Sequence, residues 1–420
     1  MRVILLAIFT LALGLAAAPA SAQRNERLDR LDRSGQRERA IERADRRLPP
    51  ERRQAPLPLR SDDGAVRTPD TGSDPAASTT AAPLYLKDRD LWVRPGEILA
   101  LNLSPPARAE AERLGLREIR TRPLGAAGAL SILASAVQPN PSALIAQLER
   151  ADPDGLFTLN PLYQWQGPMP QAALLPDVPD DGPPATGQVT RIGLIDGRLL
   201  AGHPLLAGLV VADAVFTAGP APETVHGTAV ALRLVESFAA FNEGERPNLI
   251  SASVLEADGF AAADAIAGAI AWMSSNDVWL LNISLAGPEN LILARLTSRF
   301  LADGGLIVAA SGNGGPLSRS IFPAAYPGVT GVSACADDGS VYPLATPGEH
   351  VDIAAPGVDV RIAGLEDYGL FSGTSYAAPV VTAWLASDQG SLAALPTRCA
   401  FLAARSAAAG VTMMGAAPRQ

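Results

Sequence analysis

Two stretches of the chain carry a regular pattern of apolar positions, and a Pro-, Asp- and Gly-rich stretch at 167–188 separates them. In the first, residues 97–103 read as a strand, 105–116 as a helix, and 117–121 and 129–133 as two further strands. Residues 141–150 read as a second helix and 156–160 as the start of a last strand. The order is β-α-β-β-α-β, a small α+β unit over residues 84–166. In the second stretch, short continuous apolar runs alternate with helical periods. Residues 191–195 form a strand of the fully buried type, and a helix opens near His226. Strands at 249–255, 278–283, 306–310 and 329–334 follow, with helices at 261–274 and 289–301. Such alternation predicts a parallel sheet with helices on both faces.

Polar residues sit where these runs end. Asp196 follows the first buried run and precedes Gly197. His226, one of three histidines with His203 and His350, begins a helix in the string Thr-Val-His-Gly-Thr. Asn313 is flanked by glycines after the 306–310 run. Ser375 stands in Phe-Ser-Gly-Thr-Ser-Tyr-Ala-Ala-Pro, where a Gly-Thr step can expose a hydroxyl at a helix N-terminus. Each has an ordinary explanation: a strand-to-loop aspartate, a capping histidine, an Asn-Gly turn, an N-capped helix. Together they are the parts of a nucleophilic serine site: nucleophile, general base, orienting carboxylate and oxyanion donor.

The order Asp, His, Asn, Ser in these strings resembles the subtilisin-like serine proteases. Asn282-Ile-Ser-Leu-Ala-Gly, Ile321-Phe-Pro-Ala-Ala-Tyr-Pro and Val351-Asp-Ile-Ala-Ala-Pro-Gly add to the resemblance, which covers 189–387. It implies Ser375 as nucleophile, His226 as base then acid, Asp196 as orienting carboxylate, and Asn313 with the Ser375 N–H as oxyanion hole. It implies Ser284, Leu285 and Ala286 as one wall of the primary specificity pocket, and Ala310, Ser311 and Gly312 as the other. The sequence departs from the family where Gly197 follows Asp196 directly and where Tyr376 follows the nucleophile in place of a common methionine. The histidine and asparagine separate it from sedolisin-like acid peptidases, which use glutamate and aspartate in those roles.

The resemblance extends to organisation. The 84–166 unit is ferredoxin-like in order and resembles the inhibitory prodomain of that family; the tail Asn160-Pro-Leu-Tyr-Gln-Trp resembles the segment such prodomains lay into the active site. An autocleavage bond is expected in 167–188, before a catalytic domain at 189–420. The expected partners are therefore peptide or protein substrates and the chain's own prodomain.

Residues 1–22 read as a signal peptide: Arg2, an apolar core, and Ala20-Ser-Ala before Gln23. The expected location is the periplasm or the extracellular space. Residues 23–60 hold 12 arginines against 7 acidic residues, in a chain whose net charge is −9. With 61–83, rich in Pro, Ala, Ser and Thr, they read as an arm and linker. Membrane contact is expected only there or at the signal segment, and the arm's lack of aromatics argues against nucleic acid. Cys335 and Cys399 are the chain's two cysteines. In an oxidising compartment they can pair; two buried thiols is the alternative. No cofactor is required for the chemistry, no Cys/His cluster implies a metal site, and the family's structural calcium has no acidic cluster of matching spacing. The rival reading is an inert relative that binds peptides or serves as an envelope scaffold.

Overall fold

The computed structural model describes residues 82–86, 89, 91–135, 141–165, 190–316, 318 and 321–387, with the backbone of 412–413. All fall within one compact unit, Pro75–Gln420. The signal peptide, the arm, most of the linker, residues 167–188 and Cys399 lie outside the described residues.

The N-terminal part runs β1 (Leu84–Leu86), β2 (Leu91–Leu101), α1 (Pro105–Arg113), β3 (Leu116–Pro123), β4 (Ala129–Ser135), α2 (Pro141–Ala151) and β5 (Leu156–Trp165). Its main strands lie in the order β5-β2-β4-β3, every pair antiparallel. This is the β-α-β-β-α-β unit, with β5 longer than the apolar pattern indicated. Ser104 starts α1: its Oγ accepts from the Ala107 N–H, and Pro105 fills the first turn.

Strand alternation decides what each face of this sheet meets. Ile98, Ala100, Leu133 and Phe157 point to α1 and α2, where they join Ala107, Ala111, Leu144 and Leu148. Leu99, Leu101, Leu130 and Ile132 point the other way and merge with the core of the C-terminal part.

The C-terminal part contains β6 (Arg191–Asp196), β7 (Val210–Val215), α3 (Val225–Phe241), β8 (Asn248–Ser253), β9 (Phe260–Ala262) and α4 (Ala263–Ser275). It continues with β10 (Leu280–Ile283), β11 (Leu285–Ala286), α5 (Leu291–Ala302), β12 (Leu306–Ala310), β13 (Thr330–Cys335), β14 (Ile353–Pro356), α6 (Thr374–Leu385) and β15 (Thr412–Met413). The large sheet has the order β15-β14-β13-β12-β10-β6-β8-β7. All its pairs are parallel. Ile307 and Ala309 face α4 and α5, whereas Val308 and Ala310 face α6. The alternation therefore buries both faces, as a continuous apolar run requires.

Strand β6 lies between β8 and β10, so the strand order reverses at β6. Open α/β sheets bind ligands beyond the carboxyl ends of strands at such a point. Asp196 is the last residue of β6.

The short elements β7, β9 and β11 were not legible in the apolar pattern. β9 and β11 matter most, because both pair antiparallel with β5. The helix expected from 261 begins at Ala263, since 260–262 are held in that strand.

Candidate active site

Asp196 and His226 meet because two glycines let their segments touch. A Cβ on Gly227 would lie 2.4 Å from the Gly197 carbonyl oxygen. A Cβ on Gly197 would lie 2.2 Å from Thr224 Oγ1. Thr224 is the N-cap of α3, and its hydroxyl accepts from the Gly227 N–H. The turn after β6 thus runs against the first turn of α3. The direct Asp196–Gly197 step is part of this contact, and it leaves the carboxylate in place.

The His226 Nδ1–Asp196 Oδ1 distance is 2.8 Å. Asp196 Oδ1 also accepts the Gly197 N–H at 2.7 Å. The carboxylate is wholly buried and the imidazole nearly so. Asp196 is an acceptor, so the proton in this contact sits on Nδ1 and leaves Nε2 with a free lone pair. Nε2 has no hydrogen-bond partner among the described residues.

Ser375 is the second residue of α6. Pro379 lies four residues on and has no N–H to offer the Ser375 carbonyl. Ser284 supplies the missing donor: its Oγ lies 3.1 Å from the Ser375 carbonyl oxygen. In return Ser375 Oγ donates to the Ser284 carbonyl at 3.2 Å. The nucleophile candidate is thus tied to β11's entry residue, and α6 packs on α3, which carries His226. Asn282 orients the pair: its Nδ2 donates to Ser284 Oγ at 3.0 Å and its Oδ1 accepts from Thr382 Oγ1.

Asn313 Oδ1 accepts the Thr374 N–H at 2.9 Å, which turns the amide so that its NH2 group remains the donor. The Gly312 N–H donates to Thr374 Oγ1. The end of β12 is therefore fixed to the start of α6. Ala310, Ser311 and Gly312 are buried on that side, and Ser284, Leu285 and Ala286 on the other. The structure brings all the site residues expected in this part of the chain to one end of the sheet. Cys335 ends β13 and is disulfide-bonded.

Tyr376 packs beside the site, its ring 5.7 Å from the His226 ring. Burial, then the charge of Asp196, pushes its phenol well above the ordinary value, so it stays neutral.

The tail of the N-terminal part lies across this arrangement. Leu162, Tyr163 and Gln164 pair with Ala262, Ala261 and Phe260 of β9. Gln164 and Trp165 pair with Ala286 and Leu285 of β11. The Trp165 ring stands 5.3 Å from that of His226. The tail is thus a middle strand between two short edges, and it covers the histidine.

A second buried cluster holds it there. Arg122 Nε donates to Asp264 Oδ2 at 2.7 Å and Arg120 Nη2 to the same oxygen at 3.1 Å. Asn160 Nδ2 donates to Asp264 Oδ1 at 2.9 Å, and Asn160 Oδ1 accepts the Asp264 N–H in the first turn of α4. Burial raises the Asp264 carboxyl, but the two arginines and Asn160 outweigh it and hold it below its usual value. Burial pushes Glu97, which accepts from Asn160 Nδ2, above its usual value. Arg94 reaches Glu256 and Asp258 at 2.9 Å each. Sequence reasoning missed this cluster. Its one local signal was Arg120 and Arg122 sharing a strand face. Among the described residues no group of His, Cys, Asp and Glu could hold a metal ion, and no helix is long and apolar enough to cross a membrane.

Residues 190–392 match the model of the subtilase peptidase family. Subtilisin DY of Bacillus licheniformis is 30% identical over 206 residues, 46% of this chain and 74% of that protein. Subtilisin BL of Lederbergia lenta is 31% identical over 205 residues, 47% and 74%. Subtilisin amylosacchariticus of Bacillus subtilis subsp. amylosacchariticus is 28% identical, and the chain spans 54% of its length. Among solved structures, fervidolysin of Fervidobacterium pennivorans, a keratinolytic enzyme related to subtilisin, shares the fold. Its TM-score is 0.54 at 17% identity, over 70% of this chain and 54% of that one. By its fold, its site and these relatives, the chain belongs to the subtilase family of serine peptidases.

Proposed function

We propose that the protein is an exported serine endopeptidase made as an inhibited zymogen. The observation that carries the proposal is the buried Asp196–His226 hydrogen bond, at the strand-order reversal and beside the helix that carries Ser375. In the reaction, Ser375 Oγ attacks the peptide carbonyl carbon as His226 Nε2 takes its proton. Asp196 keeps the imidazole in the right tautomer and stabilises the imidazolium. The Asn313 amide and the Ser375 N–H stabilise the oxyanion. His226 then returns the proton to the leaving amine, and water resolves the acyl-enzyme.

Residues 84–166 act as prodomain and inhibitor. The support is the pairing of β5 with both edge strands, the Trp165–His226 contact and the buried arginine–carboxylate clusters. The tail presents an extended backbone as a substrate would, and Ser375 is wholly buried. Export rests on the N-terminal segment, with cleavage after Ala22 and self-processing within 167–188. The Cys335 disulfide agrees with an oxidising compartment and a bond to Cys399. The substrates are peptides or proteins, and no cofactor enters the chemistry.

Intact-mass analysis of exported wild type beside Ser375→Ala tests this. Wild type should lose everything before a bond in 167–188, and the mutant should retain it. If both keep Gln23 onward, self-processing is wrong.

One observation favours a second reading, an inert peptide binder. The Ser375 hydroxyl points to the Ser284 carbonyl, and His226 Nε2 does not accept from it. A fluorophosphonate probe decides: phosphonylation of Ser375 Oγ with loss of fluoride rejects the inert reading, and no labelling supports it.

A further inference from the structure

Tyr163 is wholly buried, yet it belongs to the strand that the proposed reading makes removable. Its ring enters a recess of the C-terminal part. A Cβ on Gly287 would lie 2.4 Å from the ring, so only glycine leaves the space. Ala261 lies opposite it in register and adds no bulk. The recess ends in polar groups. The Tyr163 hydroxyl donates to the Pro288 carbonyl oxygen at 2.6 Å and also meets the Tyr326 hydroxyl. Tyr326 is held in turn, donating to the Asn290 carbonyl at 2.8 Å and accepting the Asn290 N–H at 3.0 Å. The recess therefore has flat apolar walls, the depth of one phenol ring and a fixed acceptor at its end. A phenylalanine would fill the walls but give the Pro288 carbonyl no donor.

We infer that this recess selects a tyrosine of the substrate by its hydroxyl, two residues before the side chain that packs on His226. The inference rests on the proteolytic reading and names a substrate class for that site: extended segments with the pattern Tyr-Xaa-aromatic ahead of the cleaved bond. The two-residue interval follows from alternation, because Tyr163 and Trp165 share one face of β5. Substrate takes the strand position between β9 and β11 that the tail vacates.

The test uses the full chain after activation and internally quenched peptides containing Pro-Leu-Xaa-Gln-Trp, with Xaa as Tyr, Phe or Ala. The tyrosine peptide should exceed the phenylalanine one in kcat/KM by about tenfold, the size of one buried hydrogen bond. It should exceed the alanine one by about a hundredfold, since a ring's apolar area is also lost. Gly287→Ala, which closes the recess, should collapse the tyrosine-over-alanine ratio to within a few fold. Equal kcat/KM for tyrosine and phenylalanine overturns the inference and leaves the proteolytic reading standing. So does phosphonylation of Ser375 by a fluorophosphonate with no cleavage of the tyrosine peptide. If neither phosphonylation nor cleavage occurs, the proteolytic reading itself is overturned, and the inference with it.

Discussion

Asp196 and Asp264 are both buried carboxylates, one in the candidate active site and one under the tail, and their surroundings differ in kind. Asp264 is saturated: two arginines, the Asn160 amide and the first turn of α4 surround it. Asp196 is left half-engaged. Its Oδ1 takes the His226 and Gly197 donors, and its Oδ2 has no partner among the described residues. A saturated buried charge resists change, because removing any partner strands the rest. An under-paired one keeps an unspent interaction for the imidazolium that forms during reaction. The same residue type thus holds a segment in one place and, on the proposed reading, prepares a proton transfer in the other.

The sharpest way to break the comparison is to remove the chemistry without touching the clamp. Ser375→Ala should lower kcat by roughly 10⁶-fold. Asp196→Asn should lower it by about 10⁴-fold. Neither should alter amide hydrogen exchange in β5, and loosening of β5 in either variant would show that the two sites are coupled.

Removing the clamp is the converse. Asp264→Ala removes the carboxylate to which both Arg120 and Arg122 donate. The cost is about 3–5 kcal/mol of hold on the tail, or roughly 10²–10⁴-fold weaker hold. On the proposed zymogen reading, the lag before peptide hydrolysis begins should shorten accordingly, while kcat after full activation stays the same.

Gly227→Ala tests the close approach that makes the pair at Asp196. The new Cβ would meet the Gly197 carbonyl, push His226 off its carboxylate and cost about 10² in kcat. Far-UV circular dichroism should show an intact helix content. Unchanged kcat would mean that the glycine contact does not set the geometry.

Acid sharpens the contrast further. The Asp264 carboxyl is held below its usual value with the tail in place, so its contribution is present above the free-carboxyl pKa. It is lost as pH falls through the lowered one, below about pH 4. Glu97 has the opposite sign. Its raised value disfavours the held state at neutral pH, and protonation relieves that penalty first. The protection of β5 amides, corrected for the intrinsic pH dependence of exchange, should therefore rise slightly on acidification and then fall. Glu97→Gln should remove only the first phase.

The smallest expected effect is chemical. Tyr376 has no sulfur to oxidise, so mild peroxide should leave hydrolysis nearly unchanged. Rapid inactivation of hydrolysis by peroxide would point to a sulfur elsewhere that supports the site.

The sequence by itself determined the parts of the site and their order. Asp196 ends a buried strand, His226 and Ser375 open helices and Asn313 follows a buried strand in a glycine-flanked turn, and the apolar runs beside them are local signals. The α/β alternation and the β-α-β-β-α-β unit were legible for the same reason, since period and turn chemistry are written within a few residues. The tertiary structure alone decided what those parts touch. The extension of β5 to Trp165 depends on hydrogen bonds lent by β9 and β11, two strands too short to show a period. The Ser284–Ser375 exchange needs a proline on α6 and a hydroxyl from beside β11. The Asp264 clamp joins Arg120, Arg122, Asn160 and Asp264 across more than a hundred residues of chain. Pairing energies of that kind arise only when distant segments come together, so no local pattern announces them.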